Sequence, residues 1–258
     1  MKFDDLEEKL RALEVKYDRL VPKDVFMVAR IDGRGFTKLT KETHQFNIPF
    51  DKKFSNYMIE TTLHLMNCGF KVIYGYTESD EISLLFHPTE NTFSRKIRKY
   101  NSILAGEASA KFTLLTGKLG VFDCRISELP EINDVIDYFR WRNEDALRNC
   151  LNAYCYWTLR KDNLKARTAS KKLENITVED KKEILTSYNI DFNEVPLWQK
   201  RGIGLYWEEI QKNGWNPKEE KEVITKRKKI KIDLELPLRN DYSDFIKNII
   251  LSNMDKGI

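Results

Sequence analysis

Histidine and cysteine are scarce in this chain, and the few present fall in no metal-binding spacing. The three histidines, His44, His64 and His87, share no ligand motif. The four cysteines, Cys68, Cys124, Cys150 and Cys155, include no CxxC pair, and the step from Cys150 to Cys155 makes no zinc knuckle. Free thiols in a reducing compartment are expected. Long apolar runs are missing too: none approaches the ~20 residues that span a bilayer. The opening residues MKFDDLEEKLRALEVKYD mix acid and base on an amphipathic helix and resemble no secretory leader. A soluble, cytoplasmic protein with no membrane partner is expected. GxSxG, GxxxxGKS/T and GxGxxG are absent, so hydrolase, P-loop and dinucleotide-binding readings lack support.

Neither sign of charge dominates. Charged residues make up 33% of the chain, yet the formal balance is only +4. The positive charge is local instead: Arg95–Lys99 reads RKIRK, basic residues gather from Arg160 to Lys172, and Lys226–Lys231 reads KRKKIK. Such clusters suit a phosphate-bearing partner, with a solvated face as the plain alternative for any one of them. The apolar share of 41% suffices for a packed core. A chain of 258 residues is long for one domain and short for two. The expected organisation is a catalytic domain over residues 1–130 and an extension over 131–258 packed on it as one compact unit.

The most informative stretch is residues 25–37, VFMVARIDGRGFT. A mostly apolar, partly β-branched run to Ile31 is stopped by Asp32 and glycine, as a buried strand ends. A second acidic group, Thr77-Glu78-Ser79-Asp80-Glu81, separates the strand-like runs Val72–Tyr76 and Ile82–Phe86. Two acidic strand tips side by side would hold Mg²⁺ and a nucleotide. Joining a nucleotide to a nucleic-acid end brings anionic groups together, and two divalent ions ~3.5–4 Å apart relieve that repulsion. Mg²⁺ takes one or two carboxylates and completes its shell with water and phosphate. Asp32 and Asp80 are the candidate bridging carboxylates, with the Gly33 carbonyl as a further oxygen ligand. Glu81 alternates with Asp80 and either points away or forms a salt bridge. Backbone N–H groups from Arg34 to Thr37 would cradle phosphate. Taken alone, DGRG is also a common tight turn. Lys96 and Lys99, three apart on a helix, would hold a triphosphate or else form a solvated face.

The rest of the chain reads as a helix over Phe3–Asp18, the strand Val25–Ile31, a helix from about Asp51 to Met66, a hairpin of Phe70–Tyr76 and Ile82–Phe86, a helix from Phe93 to about Leu114, and a strand over Val121–Ser127. That order is the βαββαβ arrangement of ferredoxin-like sheets, which places Asp32 beside Asp80. The expected class is α+β, a polymerase-palm-like core with helical and small β additions on its C-terminal side. A long helical stretch, Asn133–Leu159, is expected to break near Trp141. Its aromatics are read mostly as core, with base stacking as the alternative. Thr177 begins a helix. Ile203–Trp207 and Val223–Leu236 look like a small additional sheet, and Tyr242–Ser252 a last helix.

RIDGRGF at Arg30–Phe36, ESDE at Glu78–Glu81, FDCR at Phe122–Arg125, YFRWR at Tyr138–Arg142, DKKEIL at Asp180–Leu185 and NEVPLWQKRG at Asn193–Gly202 together resemble the tRNA(His) guanylyltransferase family. The likeness covers about residues 5 to 210, in the right order. It implies addition of nucleotides to the 5′ end of tRNA, with growth from 3′ to 5′. It also implies Asp32, Gly33 and Asp80 as ligands of two Mg²⁺ ions, and Asp32, Gly33, Arg34, Gly35, Phe36, Thr37, Ser79 and Asp80 as nucleotide contacts. Lys96 and Lys99 would meet the triphosphate of an activating ATP or GTP or of the incoming NTP. RNA contacts are expected at Arg125, Arg148, Asn149, Lys181 and Lys200, and the assembly as a homotetramer.

The sequence departs from the family at two places. Guanylyltransferases proper carry HINNLYN where this chain has Leu147-Arg148-Asn149-Cys150-Leu151-Asn152-Ala153, and a lysine expected before Pro49 is Ile48. This pattern is similar to the guanylyltransferase-like branch, which repairs 5′-truncated tRNAs by template-dependent addition. Untemplated addition of G at position −1, a palm-type nucleotide cyclase and a Mg²⁺-stabilised RNA-binding module are the alternatives.

Overall fold

In the computed structural model of this chain, residues 2–40, 46–216 and 221–254 are described, and His44 lies outside them. The helix α1 (Phe3–Val15) precedes β1 (Phe26–Gly33) and a short turn of helix, α2 (Phe36–Lys38). Then come α3 (Lys52–Leu65), β2 (Val72–Glu78), β3 (Glu81–Phe86), α4 (Ile97–Thr116) and β4 (Phe122–Leu129). The second half runs through α5 (Ile132–Lys161), α6 (Ala166–Leu173), α7 (Val178–Ser187), α8 (Leu197–Arg201), β5 (Ile203–Asn216), β6 (Lys221–Asp233) and α9 (Arg239–Met254).

Local chemistry sets several of these boundaries. Asp51 caps α3, its carboxylate accepting from the N–H groups of Lys53 (2.7 Å) and Phe54 (3.0 Å). Thr177 and Asp180 form a reciprocal capping box at the start of α7. Helix α5 runs unbroken through Trp141, contrary to the expected break, because residues 132–161 contain no glycine or proline to interrupt it. Helix α4 starts later than Phe93, since Phe93, Ser94 and Arg95 all take positive φ in a 3₁₀ turn ahead of it.

The strands form one antiparallel sheet in the order β4-β1-β3-β2-β5-β6. Alternation along β1 sorts its side chains between two layers. Met27, Ala29 and Ile31 join Met58, Leu65, Tyr100, Leu104 and Phe112 beneath α3 and α4. Val28 faces the other way, into the layer of Tyr74, Leu85, Phe139, Tyr242 and Ile246 beneath α5 and α9. A third cluster joins α5 to α7 through Cys150, Cys155, Leu185 and Phe192. Among the described residues, no helix is long and apolar enough to cross a membrane.

The late strands do not form a separate small sheet. Residues Ile203–Tyr206 of β5 pair with Thr77–Tyr74 and so cover the edge that β2 would otherwise leave open. Beyond Trp207, β5 continues with β6 alone as a two-stranded ribbon, and the Lys226–Lys231 run lies on the outer strand. Gly202 makes the junction between α8 and β5. Its φ is +70°, and a Cβ there would come within 2.4 Å of the Tyr76 hydroxyl, which donates to the Arg201 carbonyl at 3.0 Å.

Candidate active site

Strand register delivers both acids to one end of the sheet. Asp32 lies opposite Glu81 on β3 and Asp123 on β4. The Gly33 N–H donates to the Asp80 carbonyl at 3.0 Å, which locks the β2–β3 turn onto the end of β1. Within that turn Ser79 takes a φ of +49° and its hydroxyl donates to the Asp80 carboxylate at 3.0 Å. Asp32, Asp80 and Ser79 are therefore brought together, and so is the Gly33 backbone.

The adjoining turn is partly engaged already. The Arg34 N–H donates to the Val121 carbonyl at 2.7 Å, so it is not available to a phosphate. Gly35, at φ +72°, precedes α2 and its carbonyl accepts from Lys38 and Leu39. Phe36 is buried against Phe112 and Phe122, so its side chain belongs to the core and only its backbone could meet a nucleotide. Thr37 is exposed in the same turn.

A charge network stands behind the acids. Arg142 of α5 is buried and binds Glu78 at 2.7 Å, Glu81 at 2.7 Å and Asp145 at 3.2 Å. Arg30 on β1 also pairs with Glu81 and lies 3.7 Å from Asp32, while Arg125 on β4 lies 3.6 Å from Asp32. Glu81 thus takes the salt-bridge role. Burial pushes the Glu78 carboxyl up to about 8, opposed by Arg142 and reinforced by Glu81 and Asp145. Burial likewise raises Glu81, against the pull of Arg142 and Arg30. Asp80 is raised by burial in the first place and by Asp32 in addition, with its hydrogen bonds opposing.

The donor set suits a hard cation. Asp32 and Asp80 offer carboxylate oxygens beside the Gly33 carbonyl, and no short ion pair among the described residues neutralises Asp80. No cluster of three or more histidine, cysteine or acidic ligands occurs among the described residues, so a soft-metal centre has no support there. Two acids plus backbone oxygen are what Mg²⁺ requires from a protein.

A cleft of ≈ 490 Å³ opens beside the acids, walled by Asn47–Asp51, by Asn149, Ala153 and Trp157 on α5, and by Trp198 and Gln199 on α8. Ile48 and Ala153, two of the positions that depart from the family pattern, both line it. Leu147, which stands where the family has histidine, packs against the α5–α7 cluster. Cys150 also borders the cleft, but burial pushes its thiol up to about 12 and removes it as a nucleophile. All four cysteines are free.

Other expected contacts fall elsewhere. Lys96 is the extended residue ahead of α4, so it does not share a helical face with Lys99, and its ammonium pairs with Asp18 at 2.8 Å. Both sit by the start of β1, where Arg95 donates to the Val25 carbonyl. Asp32 is seven residues further along, roughly 20 Å away at the strand rise. Within one chain the two lysines are not brought to the acids. Arg148 is exposed on α5 near Asp145, to which Asn149 donates at 3.3 Å, and Lys181 is half-buried on α7.

Lys200 cannot make the RNA contact expected of it as it stands. It is buried, and its ammonium donates to the carbonyls of Phe192 (3.3 Å) and Asn193 (2.8 Å). Its role is to tie α8 to the preceding turn. Lys200→Met keeps the stem but takes the ammonium donor from the Asn193 carbonyl and leaves Phe192 with the Val195 N–H, an expected loss of about 1–3 kcal/mol. Thermal melting and RNA filter binding, measured together, check this. A fall in RNA retention at unchanged melting temperature would return Lys200 to the RNA surface.

The sequence profile described as tRNAHis guanylyltransferase matches residues 7–130, and the one described as Thg1 C terminal domain matches residues 133–247. The tRNA(His) guanylyltransferase of Debaryomyces hansenii is 30% identical over 195 residues, which cover 70% of this chain and 73% of that one. The chain belongs to the tRNA(His) guanylyltransferase family. Members are nucleotidyltransferases, in keeping with the enzyme class read from the acid motifs. Two solved structures of a bacterial tRNA(His) guanylyltransferase (Thg1)-like protein share 25% identity with it, over 95% of this chain and 99% of that one. The complex with ATP superposes with a TM-score of 0.74 and the complex with GTP with 0.71.

The buried Arg142 network is the part of the site that motif reading left without a role. Its one sequence signal was an arginine beside a tryptophan inside an otherwise core-forming helical stretch, with acids three residues on and in the facing turn.

Proposed function

We propose that the protein is a template-dependent 3′-to-5′ nucleotidyltransferase that restores the 5′ end of truncated tRNA. Family membership supports addition of nucleotides at a tRNA 5′ end. The observation that carries the repair reading is the cleft wall: where guanylyltransferases proper are expected to present a lysine and an asparagine, this chain presents Ile48 and Ala153. The strand order β4-β1-β3-β2, with α3 and α4 crossing between strands, supports a ferredoxin-like palm.

In the proposed sequence an oxygen of the tRNA 5′-monophosphate attacks the α-phosphorus of ATP or GTP, and pyrophosphate leaves. The 3′-hydroxyl of the incoming NTP then attacks the activated 5′-phosphorus and displaces the nucleoside monophosphate. Hydrolysis finally removes pyrophosphate from the new 5′ end. Two bound Mg²⁺ ions would align attacking and leaving oxygens and offset their charge. Asp32, Asp80 and the Gly33 carbonyl would hold them, while Ser79 orients Asp80. Arg30 and Arg125 flank Asp32 and would meet phosphate. Arg142 engages Glu78 and Glu81 in ion pairs and would leave Asp32 and Asp80 to hold the ions. Bacterial relatives bound to ATP and GTP support nucleotide binding here. Arg148, Asn149 and Lys181 border the region where the acceptor end would lie, and a cytoplasmic tetramer completes the reading. In such an assembly Lys96 and Lys99 would serve a nucleotide held by another copy.

The test is a 5′-monophosphorylated tRNA lacking its first nucleotide, incubated with Mg²⁺, ATP and each NTP in turn. Addition of only the nucleotide complementary to the acceptor partner is the expected result. G added to full-length tRNA(His) regardless of the opposing base would make the protein a guanylyltransferase in the narrow sense. A cyclic product from NTP alone, or RNA retention without extension, would replace this reading with a cyclase or a binding module.

A further inference from the structure

Helix α1 has no buried residue and no side-chain cap. A helix of 13 residues that buries none of its side chains among the described residues is marginal in water, where stability takes roughly 12–15 residues even for favourable sequences. Its apolar side chains nevertheless keep a strict register. Phe3, Leu6, Leu10 and Leu13, continued by Tyr17 just past the helix end, are spaced three, four, three and four residues apart. All five are exposed, from 39% at Leu6 to 86% at Tyr17. Alternating steps of three and four are the a and d positions of a heptad, the seam of a two-helix coil. Ala12 and Val15 lie off it.

The flanking charges follow the same heptad. With Phe3 and Leu10 at a, the e positions are Glu7 and Glu14 and the g positions are Lys9 and Lys16. Lys2 occupies the preceding g position as the cap residue. In a parallel pair each g residue meets the e residue five positions on in the partner helix, which sets Lys2 against Glu7 and Lys9 against Glu14, twice over by symmetry. An antiparallel pair would set lysine against lysine and glutamate against glutamate. Glu7 also pairs with Arg11 of its own helix at 3.0 Å, an exposed contact that leaves its e position unchanged. The segment that follows is pinned to the body, with Asp18 bound to Lys96 and Arg98 and Arg19 to Glu128 at 2.9 Å. Paired helices would therefore join two whole protomers.

We infer that the exposed stripe of α1 is a self-association surface, and that its occupant is α1 of a second copy, parallel and in register. The inference stands apart from the chemistry at Asp32 and Asp80. Two experiments on the full chain test it. By sedimentation, Leu6→Glu with Leu13→Glu is expected to halve the mass of the wild-type assembly without loss of body structure by circular dichroism. Lys9→Glu alone is expected to weaken the assembly at least tenfold, and Lys9→Glu with Glu14→Lys to restore it. Phe3→Cys is expected to give a disulfide-linked dimer under mild oxidation, which wild type, with buried or half-buried thiols, does not. A wild-type monomer at all concentrations, or an assembly indifferent to Leu6→Glu with Leu13→Glu, overturns the proposal. A mass that halves without the Phe3→Cys cross-link or the charge-swap rescue means that the stripe docks elsewhere, and this too overturns it.

Discussion

Asp32→Ala or Asp80→Ala is expected to lower 5′ nucleotide addition by at least on the order of 10³-fold while the protein melts no lower than wild type. The two carboxylates converge at the end of β1 and the β2–β3 turn. Burial already lifts the Asp80 carboxyl, and Asp32 adds to the rise. Asp32 has only long ion pairs, 3.7 Å to Arg30 and 3.6 Å to Arg125. Removing either acid would delete one of the proposed cation ligands and lower the local negative charge, so activity and stability should move apart. Single-turnover extension of a 5′-monophosphorylated tRNA, paired with thermal melts with and without Mg²⁺, measures both. Wild-type melting should rise with Mg²⁺, and the rise should vanish in either variant. Full activity in one of them would remove the two-metal assignment.

Arg142→Ala is expected to destabilise the fold by about 3–5 kcal/mol, because a buried cation is withdrawn from carboxylates that stay behind. The side chain is 5% exposed and engages Glu78 on β2, Glu81 on β3 and Asp145 on its own helix. At ~2–4 °C per kcal/mol for a chain of this size, the melting temperature should fall on the order of 10 °C. Activity should fall as well, since Glu78 and Glu81 frame the turn that carries Asp80. Arg142→Lys should rescue little: one ammonium cannot reproduce a planar fork that reaches three carboxylates. A variant that melts and extends tRNA like wild type would show that the cluster is not a unit. Replacing Glu78, Glu81 and Asp145 by their amides in the Arg142→Ala background should recover part of the loss, because the stranded charge is then gone.

Much of the site was legible in the chain. Asp32 after a β-branched run, and Asp80 in a turn between two strand-like runs, identify themselves by hydrophobic periodicity and by glycine. The β-α-β-β-α-β order then leaves few ways to pair the strands. Other residues were not legible. Lys200 reads as a basic residue in a family motif, but its accessibility depended on whether the turn at Phe192 and Asn193 folds over it. Lys96 reads as helical from local pattern, and three residues of positive φ ahead of it decide otherwise. The strands after Gly202 read as a small sheet because nothing local shows that β2 presents an open edge.

Resemblance of the sequence motifs carried the family and the enzyme class, and hydrophobic period carried the order of elements and the candidate pair of acids, because these depend on residues close in sequence or on short patterns. Tertiary structure alone decided which charges are buried and with whom, which strand covers which edge, and how far the lysines at the start of α4 lie from Asp32. Those outcomes depend on contacts across dozens of residues, where burial changes what a charged side chain can do. Arg142 shows the difference: its identity is plain in the sequence, but the three carboxylates that give it a role meet only when α5 lies across the end of the sheet.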